Sequence, residues 1–199
     1  MGNRAVITTK DKDIGVYLHW NGNRENIEDF LAYCDMKGYR PPDVDNYGWA
    51  RLCQVIGNTI GGTLSLGIDR YEKEDTNNGD NGVYIIKNWD IVGREYFDSH
   101  ESHEDDILGA LEVININMPE NEQVPAEDLV SYANKWNKKH KDYFKDGKIP
   151  KYTIDDLNYT FGDEPISKKE IGEMLKNLEK AIEGQHDFED DEHEVKLEL

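Results

Sequence analysis

The chain has 199 residues, with 42 Asp and Glu against 23 Lys and Arg and a formal net charge of −19. Only 37% of the residues are hydrophobic, but 4 Trp, 11 Tyr and 5 Phe supply enough large apolar side chains for a core, which excludes a wholly disordered chain. The sequence has no apolar run long enough for a membrane-spanning helix and no hydrophobic signal segment at its N-terminus. We therefore expect a cytoplasmic protein whose two cysteines stay reduced.

The negative charge also restricts the expected partners. It repels phosphate backbones and anionic lipids, so we expect neither direct binding in a DNA groove nor membrane binding. It attracts basic surfaces over long distances, and a basic protein surface is the expected partner, for example that of a nucleic-acid-binding protein. The alternative is that the charge serves solubility alone. The oligomeric state does not follow from the sequence.

The first elements in the chain read as a β-hairpin. Two β-prone runs, Arg4–Thr9 and Ile14–Trp20, flank a short polar turn. In the second run every other residue is apolar, from Ile14 to Trp20, and these alternate with Gly15, Tyr17 and His19. Because successive side chains of a strand point to opposite faces, we expect the apolar set, including Trp20, to face the core.

Helical and strand patterns then follow along the chain. Apolar residues at i, i+3, i+4 and i+7 spacing predict helices at about residues 25–37, 47–60, 102–115 and 124–144. Short strands are predicted at about residues 63–68, 83–86 and 89–94. A capping box, Ser167-Lys168-Lys169-Glu170, predicts a last helix that Gly184 ends.

The order of these elements predicts the fold class and the domains. Strands and helices do not alternate as in βαβ units, so we predict an α+β protein with a mainly antiparallel sheet packed by helices. An α+β domain is predicted at 1–117, a helical C-terminal part at 118–185 and an acidic, disordered tail at 186–199.

Several segments of the first half resemble a family of small uncharacterised bacterial proteins that also occur on phages and mobile elements. The resemblance is carried by Met1-Gly2-Asn3-Arg4-Ala5-Val6-Ile7, Val16-Tyr17-Leu18-His19-Trp20-Asn21-Gly22, Tyr47-Gly48-Trp49-Ala50-Arg51-Leu52 and Asp80-Asn81-Gly82-Val83-Tyr84. It implies no catalytic residue. A mobile-element setting favours acidic proteins that imitate nucleic acid and block host defence nucleases.

The leading functional hypothesis is therefore an acidic, non-enzymatic interaction protein. Its specific form is a nucleic-acid-mimicking inhibitor of a host defence nuclease, of the anti-CRISPR or antirestriction type, whose carboxylates occupy a phosphate-binding groove. The acids predicted to bind the partner lie in a long polar loop and around the start of the third helix: Asp69, Glu72, Glu74, Asp75, Asp80, Glu101, Glu104, Asp105 and Asp106.

Two other classes of function remain open. A small enzyme or ligand-binding module would use the face that bears Tyr17, His19 and Asn21, where polar side chains meet near a strand end. A scaffold or assembly protein would use Trp136 and the last helix as a partner surface. The common enzyme signatures, including phosphate-binding and nucleophile motifs, are absent from the sequence, which favours a non-enzymatic protein.

No cofactor or metal site is predicted. The Asp- and Asn-rich loop at 75–82 fails the spacing of a calcium-binding EF-hand, and the pair His100 and His103 lacks further ligands close in sequence. Cys34 and Cys53 lie on apolar helix stripes, which is typical of buried thiols. The one basic concentration, Lys135 to Lys151, would suit nucleic acid or the acidic tail, or serve only as the cationic end of a helix.

Overall fold

Two β-prone runs near the N-terminus pair as an antiparallel hairpin of β1 (Ala5–Thr9) and β2 (Ile14–Leu18). Trp20, which was predicted to face the core, is instead 45% exposed. That prediction was wrong because β2 ends at Leu18, so the alternation of faces no longer applies two residues later.

The structure is a computed structural model, and it describes residues 3–61, 65–97, 106–144 and 147–158. All of these belong to one compact unit, Met1–Thr160. The predicted last helix and the acidic tail at 186–199 lie outside the described residues, and the predicted domain boundaries stay predictions. No helix within the described ranges is long and apolar enough to cross a bilayer.

In the part of the chain that the structure describes, five strands form one mixed sheet in the order β3-β2-β1-β4-β5. The remaining strands are β3 (Leu66–Arg70), β4 (Val83–Lys87) and β5 (Asp90–Glu95). Three of the neighbouring pairs are antiparallel, and β1 pairs with β4 in parallel. The sheet and its helices confirm the predicted α+β class.

Within the described residues, four helices form at about the predicted places. They are α1 (Arg24–Met36), α2 (Tyr47–Ile60), α3 (Ile107–Asn117) and α4 (Ala126–Lys139). Helix α4 ends earlier than predicted because His140 leaves the helical conformation, with φ −103° and ψ 33°, and a short 3-10 turn at Lys141–Tyr143 follows. Residues 102–105, where the third helix was predicted to begin, lie outside the described residues.

One face of the sheet packs against the helices. The strand register places Ile7, Val16 and Tyr84 on this face, and all three are fully buried. Helix α1 packs against β5 and α2 against β3, while α3 packs on α1, α2 and α4. The Tyr84 hydroxyl donates a hydrogen bond of 2.9 Å to the carbonyl of Gly22, just before α1. The hydrophobic core therefore lies between this face and the helices.

The other face is covered by the connection from β3 to β4, residues 71–82, which we call the crossover loop. Since β3 and β4 run in the same direction with β2 and β1 between them, this connection has to cross the sheet. Tyr71 donates a hydrogen bond of 3.1 Å to Glu95 on β5, and Glu74 lies so close to Gly15 that a Cβ on that glycine would be 2.6 Å from the Glu74 Cγ. The polar loop of the sequence thus forms a layer of the fold.

Candidate functional site

A cleft of about 250 Å³ opens between α1, the β4–β5 turn and the end of α4. Its lining combines aromatic rings with charged groups: Glu28, Trp89, Asp90, Trp136, Lys139, His140 and Tyr143. Binding sites for small groups are typically concave and mostly apolar, with a few polar side chains that converge on the ligand. This cleft has the converging polar side chains of such a site, set between aromatic rings.

The β4–β5 turn places Trp89 in the cleft wall. Asn88 and Trp89 both adopt the left-handed conformation, with φ 52° and 63°, which lets two residues connect antiparallel strands with the correct twist. The Trp89 indole donates a hydrogen bond of 2.7 Å to the carbonyl of Tyr39, and the residue is only 5% exposed. The ring is therefore fixed in position before any ligand arrives.

The end of α4 supplies the other aromatic wall. Trp136 and His140 are one helical turn apart, and their ring centroids are 4.0 Å apart at an interplanar angle of 33°. Tyr143, in the turn after the helix, lies with its ring centroid 5.9 Å from Trp136 and 5.2 Å from His140. Such tilted and edge-on contacts stabilise aromatic clusters beyond their apolar burial.

His140 has a defined tautomer. Its Nδ1 lies 3.0 Å from the carbonyl oxygen of Trp136. A carbonyl oxygen can only accept a hydrogen bond, so Nδ1 carries the proton and Nε2 of the neutral ring carries a lone pair. Burial lowers the pKa of His140, which favours this neutral form at pH 7.

A buried carboxylate connects α1 to the turn after α4. Oε1 of Glu28 accepts hydrogen bonds from Nε of Arg24 at 2.7 Å and from the Tyr143 hydroxyl at 2.9 Å. Burial, followed by the negative charge of Glu28, raises the pKa of Tyr143 to about 12, so the hydroxyl stays protonated and remains a donor. These contacts hold Tyr143 against the cleft.

An ion pair stands at the mouth of the cleft. Lys139 Nζ donates a hydrogen bond to Asp90 Oδ1, and the two side chains are 51% and 39% exposed. An exposed pair of this kind contributes little to stability, so either partner can exchange it for a ligand at small cost.

The acids predicted to bind a partner do not form one cluster. Asp80 accepts hydrogen bonds from the Arg4 backbone amide at 3.1 Å and from Arg4 Nε at 2.7 Å, and this guanidinium holds the pKa of Asp80 below its ordinary value. Asp75 lies 3.8 Å from the same guanidinium, whose Nη2 also donates to the carbonyl of Asn78. Asp80 therefore anchors the crossover loop to β1.

The other acids of this set have different surroundings. Asp69 and Glu72 lie 3.4 and 3.8 Å from cations of their own segment, Lys73 and Arg70. Glu74 packs over Gly15, and its burial raises the pKa of the carboxyl group. Each of these loop acids therefore either lies near a cation of its own segment or packs against the sheet.

The predicted acids around the third helix fall at the edge of the described residues. Asp106 precedes α3, and its side chain accepts a hydrogen bond of 3.3 Å from the backbone amide of Gly109, as an N-cap residue does. Glu101, Glu104 and Asp105 lie outside the described residues, as do His100 and His103.

The structure brings part of the alternative ligand face together. The Tyr17 hydroxyl and His19 Nδ1 are 3.1 Å apart, and the His19 ring meets Trp20 edge-on at a centroid distance of 4.9 Å. Asn21 is exposed at the following turn with φ 58°. Tyr17 lies on the face covered by the crossover loop, and burial raises the pKa of its hydroxyl. The charges of Arg4, Asp75 and Asp80 also act on this pKa.

Within the basic concentration at 135–151, Lys139 lines the cleft itself, whereas another part lies on a different face of α4. An open groove of about 760 Å³ there is lined by Lys135, Lys138 and Lys151 together with Ser131 and Asn134. The acidic tail that was considered as its occupant lies outside the described residues.

Neither cysteine has the surroundings of a nucleophile. Burial raises the pKa of the Cys34 thiol well above its ordinary value and that of Cys53 to about 11, so both are protonated at pH 7. Within the described ranges, no group of three or more His, Cys, Asp or Glu side chains could hold a metal ion.

Most of the cleft was not predicted from the sequence. Trp136 was singled out as a partner surface, but Glu28, Trp89, Asp90 and His140 were not proposed as site residues. Trp89 was predicted as the first residue of a strand at 89–94, but it lies in the two-residue turn before β5, where small polar residues are usual.

Comparison of the chain with protein-family models, with curated proteins and with solved structures found no match in any of the three.

Proposed function

We propose that the protein is a non-enzymatic interaction protein that binds a basic partner and receives one of its cationic groups in the aromatic cleft. The observation that carries the proposal is the combination of Trp89, Trp136 and Tyr143 around a cleft bordered by two carboxylates, Glu28 and Asp90, in a chain of net charge −19. The charge favours encounter with basic proteins, and the cleft supplies a specific place to hold them.

Aromatic walls favour a cation for a physical reason. The faces of indole and phenol rings carry partial negative charge, so a cation over such a face is attracted by about 0.5–2 kcal/mol, with the larger value where water is excluded. Trp89 and Trp136 are 5% and 7% exposed, so only a small part of each residue is accessible to a ligand. Residues of this kind at a desolvated centre commonly dominate the binding energy of an interface.

The size of the cleft limits what enters it. A volume of about 250 Å³ is below the usual range for whole drug-sized ligands, about 300–1,000 Å³. It suits a single side chain that a larger partner inserts. The rest of the interface would then lie on the surrounding surface.

The proposal is tested by NMR titration of the ¹⁵N-labelled chain with tetramethylammonium, ethylguanidinium and the uncharged tert-butanol at constant ionic strength. We expect the two cations to shift the indole signals of Trp89 and Trp136 at lower concentrations than tert-butanol does. Trp136→Leu should abolish the cation effect. Trp20→Leu, which removes an exposed tryptophan outside the cleft, should leave it unchanged.

Glu28→Gln provides a second variant, in case Trp136→Leu does not fold. It keeps the size of the side chain and removes its charge, so cation affinity should fall. Equal shifts with the cations and with tert-butanol, or unchanged cation affinity in Glu28→Gln and Trp136→Leu, would contradict the proposal.

Nucleic-acid mimicry is a second candidate for the same acidic protein. It is supported by the exposure of three acids, Asp69, Glu72 and Asp75, whose side chains are 51%, 73% and 59% exposed. More than half of the negative charge excess comes from stretches outside the described residues, so these three are one part of any acidic surface.

The mimicry candidate is tested by reversing these three acids to lysine and leaving Asp80, which anchors Arg4, intact. The tagged chain would be used to capture host proteins at low and high salt, with DNA as competitor. Mimicry predicts that a nucleic-acid-binding protein is captured at low salt, displaced by DNA and lost in the triple variant. Capture that survives both DNA and the triple reversal would refute it.

A further inference from the structure

We propose that the cationic group received by the aromatic cleft is an arginine guanidinium, and that His140 is the residue that selects it. This inference rests on the proposed function, because it names the chemistry of the group bound at the same site. It goes beyond a preference for positive charge, since lysine and methylated ammonium groups would satisfy charge alone.

The selecting feature is the free lone pair of His140. With Nδ1–H donated to the Trp136 carbonyl, Nε2 is an acceptor, and it makes no hydrogen bond with any described residue. The ring is stacked on Trp136 and borders the cleft. A ligand that enters the cleft therefore meets an acceptor that is oriented in advance, to which an N–H group of the ligand can donate in place of water.

A guanidinium matches this arrangement better than other cations. It is planar, so it can stack on an indole face, and its five N–H groups can reach Nε2 and a carboxylate at the same time. An ammonium has donors but no flat surface, and a tetraalkylammonium has no donor at all. The fold itself contains such a contact. The guanidinium carbon Cζ of Arg94 lies 3.7 Å from the ring centroid of Tyr84 and 4.1 Å from that of Phe97.

The charged groups around His140 also predict how the site responds to pH. Lys139 precedes it as the last residue of α4, Glu28 faces it from α1 and Asp90 from β5, and Tyr143 packs against its ring. Protonation of His140 would convert Nε2 from an acceptor into a donor and add a positive charge beside Lys139. Guanidinium binding should therefore weaken as the pH falls through the pKa of His140.

Lys139 is the internal competitor of the ligand. Its ammonium pairs with Asp90 at the mouth of the cleft. Lys139→Met removes this cation and releases the carboxylate while it keeps an apolar stem of similar length. Affinity for ethylguanidinium should then rise. This variant is thus expected to bind more tightly than the wild type, whereas the other variants of the site are expected to bind more weakly.

The experiment is an NMR titration of the full chain with ethylguanidinium, n-butylammonium and tetramethylammonium, in the wild type, His140→Phe and His140→Gln. Phenylalanine keeps the aromatic contact with Trp136 and removes the acceptor, while glutamine keeps an acceptor that does not titrate. We expect ethylguanidinium to bind most tightly to the wild type. Its affinity should fall about tenfold in His140→Phe, the loss of about one hydrogen bond.

The remaining arms separate selection from simple cation binding. Tetramethylammonium affinity should change less than twofold in His140→Phe. Across the pH range in which the His140 ring signals show its titration, ethylguanidinium affinity should fall as the pH falls in the wild type and stay constant in His140→Gln. The thermal unfolding midpoint of each variant checks that it is folded, and if His140→Phe fails this check, the pH comparison with His140→Gln decides.

The outcomes distinguish the two proposals. If none of the three cations binds the wild type, the proposed function fails and the inference fails with it. If all three bind equally well and His140→Phe changes none of them, the cleft still binds cations but the selection of arginine by His140 is refuted. Constant ethylguanidinium affinity in the wild type across the observed titration of His140 would also refute it.

Discussion

Asn115 provides a sharp test of how the helical layer is held together. It is fully buried in α3, where its Oδ1 accepts hydrogen bonds from the Tyr33 hydroxyl at 2.7 Å and from the Val124 amide at 2.9 Å. Its Nδ2 donates to the Val124 carbonyl at 3.0 Å. One side chain thus joins α3 to α1 and to the segment that leads into α4.

Replacing Asn115 with leucine removes all three bonds. The Tyr33 hydroxyl, also fully buried, would be left without this acceptor at a cost of about 1–3 kcal/mol, and the two bonds to Val124 would cost about 1 kcal/mol each. We expect Asn115→Leu to lower the free energy of unfolding by about 3–5 kcal/mol. Tyr33→Phe is the matched control, because it removes one bond and leaves Asn115 paired with Val124, for a loss of about 1 kcal/mol.

The measurement is urea unfolding followed by circular dichroism and tryptophan fluorescence, with linear extrapolation to water. Coincident transitions from the two probes and an unchanged slope would show that both variants unfold in one step. A loss in Asn115→Leu no larger than that in Tyr33→Phe would refute the claim that Asn115 fastens three segments.

Three further predictions concern the crossover loop, backbone geometry and the thiols. Gly82→Ala should lower the melting temperature much more than Gly38→Ala. Both glycines have positive φ, 61° and 66°, but only at Gly82 would an added Cβ meet the backbone, 2.3 Å from the carbonyl oxygen of Glu95. Equal losses of melting temperature would contradict this. Glu74→Gln should stabilise the protein at pH 7, because a carboxyl group whose pKa is raised in the folded state opposes folding when it is ionised. The gain in unfolding free energy should vanish below about pH 4, near the pKa of glutamate in the unfolded chain. A loss of unfolding free energy at pH 7 would refute this reasoning. Neither Cys34 nor Cys53 should react rapidly with a disulfide reagent at pH 7 until urea is added, and fast native labelling would show that burial does not control them.

Local patterns were sufficient to predict the helices and most strands. Helix α2 runs from Tyr47 to Ile60 as its apolar stripe and terminal glycines predict, because a helix of this kind is encoded within its own residues. The end of α4 was placed too late because the aromatic stripe continues through Tyr143 after the helix has ended at Lys139. A periodic pattern does not show where a chain leaves helical conformation while its side chains still pack.

The crossover loop shows what periodicity cannot provide. Its polar sequence indicated a functional or mobile segment, yet Asp80 anchors it to Arg4, 76 residues earlier, and Glu74 covers Gly15. These contacts depend on the order of strands in the sheet. That order is a property of the whole fold and is not written in any one segment.

The cleft was unpredictable for the same reason. It is assembled from α1, a hairpin turn and the end of α4, so that Glu28 and Tyr143 are in contact across 115 residues. Trp136 was proposed only as part of a partner surface, and nothing in the local sequence pairs it with Trp89. His140 Nε2 is an acceptor because Nδ1 donates to the Trp136 carbonyl. That contact depends on where α4 ends, and the sequence predicted a later end.

The central place of β1 in the sheet has a consequence for how the chain is made. One side of β1 finds its partner at once, in the hairpin with β2, but its other side pairs with β4, whose first residue is Val83. A ribosome must therefore synthesise two helices and the whole crossover loop before that side is closed. Until then the nascent hairpin exposes an unpaired apolar strand edge, so we expect folding to depend on keeping this edge apart from those of other chains.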